Sequence, residues 1–292
     1  MTTEAAPPDS PNISVHPRGR LSLAQKFAVA FLGLVTAVLL INGAINMGLT
    51  YRDARMQAVR VQQEKADAAA VRVAQFIAEI EQQLGWTTRP EWALVSVEQR
   101  RYDFIRLVRQ APAITELIYI DGSGHEQLKR SRLEPEQVGS NADTTADPRF
   151  IATMRDKIYY GPVTFRRGSE PYMTIGLAHG GRTPGATIAD VNLKLAWDVV
   201  TSIRVGKTGY AFITDPAGRL IAHPDMNLVL RNTDLTSQPQ VAAALKPGAD
   251  AAPVDAGVGQ DGRAVLSAYA KVPKVGWNVF VELPAEIGRA HV

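Results

Sequence analysis

The sequence predicts an α+β protein in which an N-terminal transmembrane helix and a long stalk helix precede two tandem lobes, each an antiparallel sheet with flanking helices. Three observations support this prediction. They are an uncharged apolar stretch of membrane-spanning length, a long stretch without Gly or Pro, and a strand-and-turn pattern that occurs twice. At 292 residues the chain is long enough for two compact domains.

The composition excludes several kinds of site. The chain has no cysteine, so disulfides, thiolate metal ligands and cysteine nucleophiles are ruled out. Its net charge of +3 comes from scattered basic residues rather than a basic patch with exposed aromatics, and we expect no nucleic-acid partner. The five histidines do not show the spacing of a helical metal pair, so neither a metal nor another cofactor is expected.

The N-terminal part of the chain predicts a membrane anchor. Residues 1–22 are polar and rich in Pro, Thr and Ser, which is typical of a disordered tail. Residues 23–49 contain an apolar stretch without charge after Lys26, and about 20 such residues cross a hydrocarbon core of about 30 Å. A cleaved signal peptide has a shorter apolar core, and a buried soluble helix would carry polar residues at every turn. We therefore favour an uncleaved transmembrane helix.

The charges around the span indicate its orientation. Arg18, Arg20 and Lys26 precede the apolar stretch, which places the N-terminus in the cytoplasm and the lobes on the opposite side of the membrane. Arginines also follow the span, at positions 52, 55 and 60, so the charge bias is not clean. The expected location is the inner membrane, with the sheet lobes outside the cytoplasm.

Residues 50–88 predict the stalk helix. Positions 53–84 lack Gly and Pro and are rich in helix-forming residues, and Gly85 is expected to end the helix. A rod of this kind suits signal transmission, and it equally suits the coiled-coil stalk of a homodimer with no switching role. An apolar seam for packing against a second helix or a sheet is formed, at 4-3-4 spacing, by Val73, Ile77, Ile80 and Leu84.

One structural unit occurs twice. Residues 117–124 read LIYIDGSG and residues 211–218 read AFITDPAG, each a strand closed by an Asp-x-x-Gly turn. The repeat predicts one lobe at 89–195 and a second at 196–284. Further strands are expected at 172–178, 186–193, 265–270 and 277–283, with a helix at 195–205 between the lobes.

Three patterns imitate catalytic or nucleotide sites without the context that such sites need. Gly206-Lys207-Thr208 lacks the upstream Gly and strand of a phosphate-binding loop, and we predict a turn there. Residues 255–259, DAGVG, imitate a kinase nucleotide loop but are expected to be an ordinary loop between two strands. His223 and Asp225 could form a hydrolytic couple, although no serine lies in a recognisable nucleophile elbow. No catalytic residue is assigned.

Residues between Pro148 and Asp190 have the composition of a small-molecule pocket. Tyrosines supply aromatic walls, arginines bind carboxylates and an aspartate binds amines. Alternatively, the tyrosines are cross-strand sheet pairs and the arginines, Arg167 among them, are solvated. The candidate ligand-binding residues are Arg149, Tyr159, Tyr160, Arg166, Tyr172, Thr174 and Asp190.

The second half of the chain carries a specific combination of motifs. Residues 206–213 read GKTGYAFI, residues 221–225 read IAHPD after the Asp-x-x-Gly turn, and residues 276–282 read GWNVFVE. In the first half, the stretches YGPV at 160–163, EPYMT at 170–174 and DVNLK at 190–194 complete the pattern. Over roughly residues 50–285 the chain resembles double Cache sensor domains, which occur in bacterial histidine kinases, chemoreceptors and cyclases.

The resemblance implies two PAS-like lobes in the periplasm and a small ligand in the membrane-distal one. It also implies that residues 285–292 are the start of an exit helix. Amino-acid-binding members carry an Arg-x-Trp-Tyr stretch, whereas this chain has Asp147-Pro148-Arg149-Phe150. The family's late acidic anchor is matched by Asp190. An organic acid or an amine is therefore the expected ligand, and an amino acid is not supported.

The expected function is that of a periplasmic sensor that signals across the membrane, most simply to a two-component histidine kinase. The alternatives are a chemoreceptor or cyclase sensor, a dimerisation scaffold that binds nothing, and the His223–Asp225 hydrolase. The sequence up to Val292 contains no phosphoacceptor, ATPase, cyclase or methyl-accepting segment. We therefore expect a sensor module cut off before its output domain.

Overall fold

The computed structural model describes residues 23–166, 170–180, 184–206, 208–248 and 254–285. The predicted tail at 1–22, Arg167, Lys207 and the exit helix beyond Ala285 lie outside these residues. The chain divides into two units, Met1–Asp53 and Ala54–Val292. In the first unit every described residue is helical, and the second unit contains both sheets.

Helix α1 runs from Leu23 to Gly85 over 63 residues. By length and composition it is the one helix among the described residues that could cross a membrane, and the apolar side chains of its first part are exposed. The predicted seam is confirmed, because Val73, Ile77, Ile80 and Leu84 are all buried. The helix ends at Gly85 as expected, although Gly85 stays right-handed and the chain tightens into the 3₁₀ turn Trp86–Thr88.

The first lobe is a seven-stranded antiparallel sheet with the order β3-β2-β1-β7-β6-β4, in which β5 pairs with β6. A 3₁₀ turn at Trp92–Leu94 and helix α2, Val97–Gln110, precede it, and helix α3, Pro148–Asp156, lies between β3 and β4. The strands are β1 Ile114–Asp121, β2 Glu126–Ser131, β3 Gln137–Val138, β4 Ile158–Tyr160, β5 Thr164–Arg166, β6 Glu170–His179 and β7 Gly185–Asn192.

The second lobe is a five-stranded antiparallel sheet with the order β10-β11-β12-β8-β9. Helix α4, Lys194–Thr201, joins the lobes, and the short helices α5, Met226–Leu230, and α6, Pro239–Ala244, follow β9. The strands are β8 Tyr210–Thr214, β9 Leu220–Ala222, β10 Val254–Val258, β11 Ala264–Val272 and β12 Trp277–Pro284. The predicted α+β class with two PAS-like lobes is confirmed.

The two Asp-x-x-Gly turns have the same hydrogen bonds. The carboxylate of Asp121 accepts the backbone N–H groups of Ser123 and His125, at 2.9 and 3.1 Å. That of Asp215 accepts those of Ala217 and Arg219, at 2.8 and 2.9 Å. Each turn closes on a glycine with positive φ, 86° at position 124 and 82° at position 218. The repeat seen in the sequence is therefore a structural repeat.

Two sequence expectations need correction. The helix expected at 195–205 ends at Thr201, because Val205 turns back to form a bridge with Gly209. The loop expected at 255–259 is largely strand β10, because Gly257 pairs with Val265 of β11. Gln240 of α6 also bonds the backbone of Val258 in both directions, at 2.9 and 3.1 Å, which holds this Gly-containing segment extended.

The two faces of the first sheet are used differently. Leu117, Tyr119 and Ile175 belong to the main core cluster, which also contains the buried seam of α1. Ile118 and Ile188 point the other way and pack with Phe150 of α3 in a separate cluster. The candidate site lies on this second face, between the sheet and α3.

Candidate functional site

Asp190 is the centre of a polar cluster on the α3 side of the first sheet. It lies in β7 between its cross-strand neighbours Glu116 of β1 and Thr174 of β6, and only 3% of it is exposed. Its Oδ1 accepts a hydrogen bond from the Thr174 hydroxyl at 2.7 Å, and its Oδ2 accepts one from Nη2 of Arg166 at 2.6 Å. A buried carboxylate is thus compensated by a cation and a hydroxyl.

Arg166 connects Asp190 to an aromatic wall. It ends the edge strand β5, and 46% of its side chain is exposed. Its guanidinium carbon lies 5.1 Å from the ring centre of Tyr172, within the range of a cation–π contact. The Tyr172 hydroxyl donates to Glu170 at 2.7 Å. Arg166, Tyr172 and Asp190 therefore form one connected group that extends from the buried carboxylate on β7 to the edge strand β5.

Arg149 approaches the same group from α3. Its guanidinium is held by Asp147, the N-cap residue of that helix, at 2.7 Å, so this arginine and its helix terminus stabilise each other. The hydrogen bond with Asp147 raises the pKa of Arg149 against the opposing effect of burial, and the carboxylates of Asp190 and Glu116 raise it further. Arg149 thus adds positive potential close to Asp190 without an ion pair to it.

Glu116 is a component of the site that the sequence argument missed. Burial raises the pKa of its carboxyl, and the charge of Asp190 adds to this rise. Lys129 opposes it, since its Nζ lies 3.3 Å from Oε2 of Glu116. The available signal was an acidic residue in the interior of β1, two positions before Ile118 on the same face of the strand. Glu170, which accepts the Tyr172 hydroxyl, was missed in the same way.

The two adjacent tyrosines of β4 lie on opposite faces. Tyr159 pairs with Gly176, and its ring borders Gly161 together with Thr174, so it faces the cluster. The Tyr160 hydroxyl instead donates to Glu81 of α1 at 2.7 Å, and burial and this carboxylate raise its pKa. The structure therefore brings six of the seven candidate residues together and places Tyr160 on the α1 side.

The His223–Asp225 pair is a turn. Nδ1 of His223 accepts the backbone N–H of Asp225 at 2.8 Å, while the Asp225 carboxylate caps α5 by accepting the N–H of Asn227 at 2.9 Å. Among the described residues no group of three or more His, Asp or Glu side chains could hold a metal ion.

A family model described as Cache domain matches residues 50–287. The chain belongs to the Cache family. Cache domains are sensor modules, and the solved structures that resemble this one include ligand-binding domains of chemoreceptors and extracellular domains of proteins assigned as histidine kinases.

Three solved structures illustrate the similarity. The ligand-binding domain of the Pseudomonas aeruginosa amino acid chemoreceptor PctC, in complex with GABA, is 18% identical, with a TM-score of 0.58 over 77% of this chain and 99% of that one. That of the Campylobacter jejuni chemoreceptor Tlp3, with 4-methylisoleucine, is 13% identical, with a TM-score of 0.61 over 82% and 95%. The extracellular domain of soHK1S-Z6, a protein assigned as a histidine kinase, is 16% identical, with a TM-score of 0.61 over 83% and 100%. At sequence identities this low, the similarity shows that this chain and the three domains share a fold.

Proposed function

We propose that this Cache protein is a membrane-anchored periplasmic sensor whose distal lobe, the sheet of β1–β7, binds a small organic acid. The observation that carries the proposal is the Arg166–Asp190–Thr174 group on the α3 face of that sheet. It combines a half-exposed guanidinium, a buried carboxylate and an aromatic wall, which is the chemistry of a small-molecule site.

The charges favour an acid over an amine. Only Nη2 of Arg166 contacts Asp190 among the described residues, so its other N–H groups can donate to a ligand carboxylate. An amine would instead have to compete with Arg166 for Asp190. Arg149 adds positive charge on the same side.

Helix α1 supports the proposed anchoring, and a structural similarity supports the proposed output. The exposed apolar part of α1 supports insertion in the inner membrane, and α1 is the expected contact of a homodimer. The expected output is a cytoplasmic histidine kinase, in keeping with the similarity to the soHK1S-Z6 extracellular domain. A ligand can shift such a receptor only by its differential affinity for two states.

A thermal-shift screen of the full chain in detergent tests the ligand, using panels of small organic acids and of amines. At about 100 times its Kd, a ligand should raise Tm by about 5 to 10 °C. Arg166→Gln should abolish the shift by an acid, whereas it should leave or strengthen a shift by an amine. Asp190→Asn tests the shared anchor, and Tyr160→Phe, on the other face, is the matched control. If no compound of either panel shifts Tm, the distal site is not a small-molecule site and the scaffold interpretation gains support.

A further inference from the structure

Glu282 in the second sheet occupies the position that Asp190 occupies in the first. Asp190 lies between Glu116 of β1 and Thr174 of β6, and Glu282 lies between Tyr210 of β8 and Ser267 of β11. Glu116 and Tyr210 each precede the aspartate of their Asp-x-x-Gly turn by five residues. The structural repeat therefore places an acid at the same point of both lobes.

The surroundings of the two acids differ in one decisive respect. Asp190 is paired with the guanidinium of Arg166. Glu282 is completely buried, and among the described residues its polar partners are the neutral groups of Gln240, at 2.7 Å, and Tyr210, at 2.9 Å. An ionised carboxylate without a cation is costly in such an environment, and neutralisation by a proton is the usual solution.

We propose that Glu282 is a proton-binding site through which the second, membrane-proximal lobe senses pH.

The groups around Glu282 are consistent with this assignment. Tyr210 faces it from β8, Gln240 from α6 and Ser267 from β11, and the ring of His223, after β9, lies 5.1 Å from that of Tyr210.

In the turn after β10, Asp261 is paired with Arg263, and the charge of Asp261 further disfavours an ionised carboxylate at Glu282. Burial is the main cause that raises the pKa of Glu282 to about 7, against the hydrogen bonds from Gln240 and Tyr210.

Two buried polar atoms near Glu282 have the capacity to form a further hydrogen bond. Ser267 Oγ, directly opposite Glu282, and His223 Nε2 are buried without a hydrogen-bond partner among the described residues. The ionised carboxylate only accepts hydrogen bonds, whereas the protonated form also donates one, which a serine hydroxyl can accept. Gain or loss of one proton therefore changes which hydrogen bonds the cluster can form.

A proton suits the site better than an organic cation does. Glu282 has no exposed surface, so an amine could reach it only if α6 moved away from the sheet. A proton needs no additional space. Glu282 is also two residues from Pro284, where the last strand of the lobe ends, so a rearrangement there acts directly on the strand that leaves the lobe.

Infrared spectroscopy of the full chain in nanodiscs, titrated between about pH 5 and 9, measures the protonated carboxyl directly. We expect a C=O band of a buried, protonated carboxyl that disappears with a midpoint near 7 and is missing in Glu282→Gln. Glu126→Gln, which changes another buried glutamate, should keep the band. Tyr210→Phe removes a donor to the ionised form and should move the midpoint upward.

The stability of the same proteins gives a second readout. Because the pKa of Glu282 is raised on folding, its contribution to the free energy of unfolding is present at low pH. This contribution is lost as the pH rises through about 7. Tm of the unchanged chain should therefore fall, relative to that of Glu282→Gln, between about pH 5 and 8. If the carboxyl is ionised across this range, or if the two pH profiles are parallel, the proposal is overturned. If Glu282→Gln fails to fold, an unmoved midpoint in Tyr210→Phe overturns it equally.

Discussion

Glu81 and Lys274 form an ion pair that joins the long helix to the second lobe, with Nζ of Lys274 2.6 Å from Oε2 of Glu81. The same oxygen accepts the hydroxyl of Tyr160, from β4 of the first lobe, at 2.7 Å. One carboxylate of α1 thus contacts both lobes. The three side chains provide a direct physical connection between the sheet that carries Asp190, the helix and the turn that precedes β12.

Tyr160→Phe should lower the free energy of unfolding by about 1.5 kcal/mol, because it removes a hydrogen bond to a carboxylate. Lys274→Gln should cost less, about 0.5 kcal/mol or below, since half of the lysine side chain is exposed. Denaturant unfolding of these variants, and of each combined with Glu81→Gln, measures the two couplings. A Tyr160→Phe variant that is as stable as the parent would contradict the role given to Tyr160.

Gly176→Ala should destabilise the first lobe by about 1 to 3 kcal/mol. A Cβ at position 176 would lie 2.0 Å from Oγ1 of Thr153, a fully buried residue of α3, so the helix must move away from the sheet. Since α3 also carries Arg149, the ligand-induced Tm shift should weaken as well.

Gly180→Ala is the matched control for this change, because no atom of the described residues lies within 4 Å of a Cβ at that position. It should alter the stability by less than about 0.5 kcal/mol. Equal unfolding midpoints for the two alanine variants would show that the sheet and α3 are not in close contact at Gly176.

Acidification should destabilise the first lobe through His179. Burial, with a smaller effect of the Arg100 charge, lowers the pKa of this histidine to about 4, whereas its unfolded value is about 6.5. The unfolded chain therefore binds the proton first, and stability is lost as the pH falls from about 6.5 to about 4, by up to about 3 kcal/mol. Urea unfolding at a series of pH values measures this loss.

His179→Gln should remove this component of the pH dependence while leaving a constant offset above about pH 7. The Glu282 contribution has the opposite sign, so the double variant His179→Gln/Glu282→Gln should have a flatter pH profile than either single variant. An unchanged slope below about pH 6.5 in His179→Gln would contradict the buried, neutral state of the imidazole.

Asp215→Ala should cost about 1 to 2 kcal/mol, because two backbone N–H groups of the β8–β9 turn lose their acceptor. Asp121→Ala should lower the stability by a similar amount, because the β1–β2 turn has the equivalent two hydrogen bonds. Asn at either position keeps the accepting oxygen and should be closer to the parent in thermal unfolding. A loss at only one of the turns would show that the two repeats are not energetically equivalent.

The sequence by itself determined the features that depend on neighbours along the chain. The apolar stretch and the Gly-free stretch up to Leu84 specify a helix, and the Asp-x-x-Gly turns at Asp121 and Asp215 specify hairpins. Hydrogen bonding and φ preferences act over a few residues, so local pattern is sufficient for them. It also brought Arg166, Thr174 and Asp190 into one candidate group.

Only the tertiary structure decided which face each side chain uses and what covers it. Tyr159 and Tyr160 are equivalent in the sequence, yet the position of β4 beside β6 sends one toward Asp190 and the other toward Glu81. Glu282 looks like a solvated charge near the end of a strand, and it becomes completely buried because α6 packs over it. Burial and charge compensation are set by contacts between residues far apart in the chain, and a local pattern does not contain them.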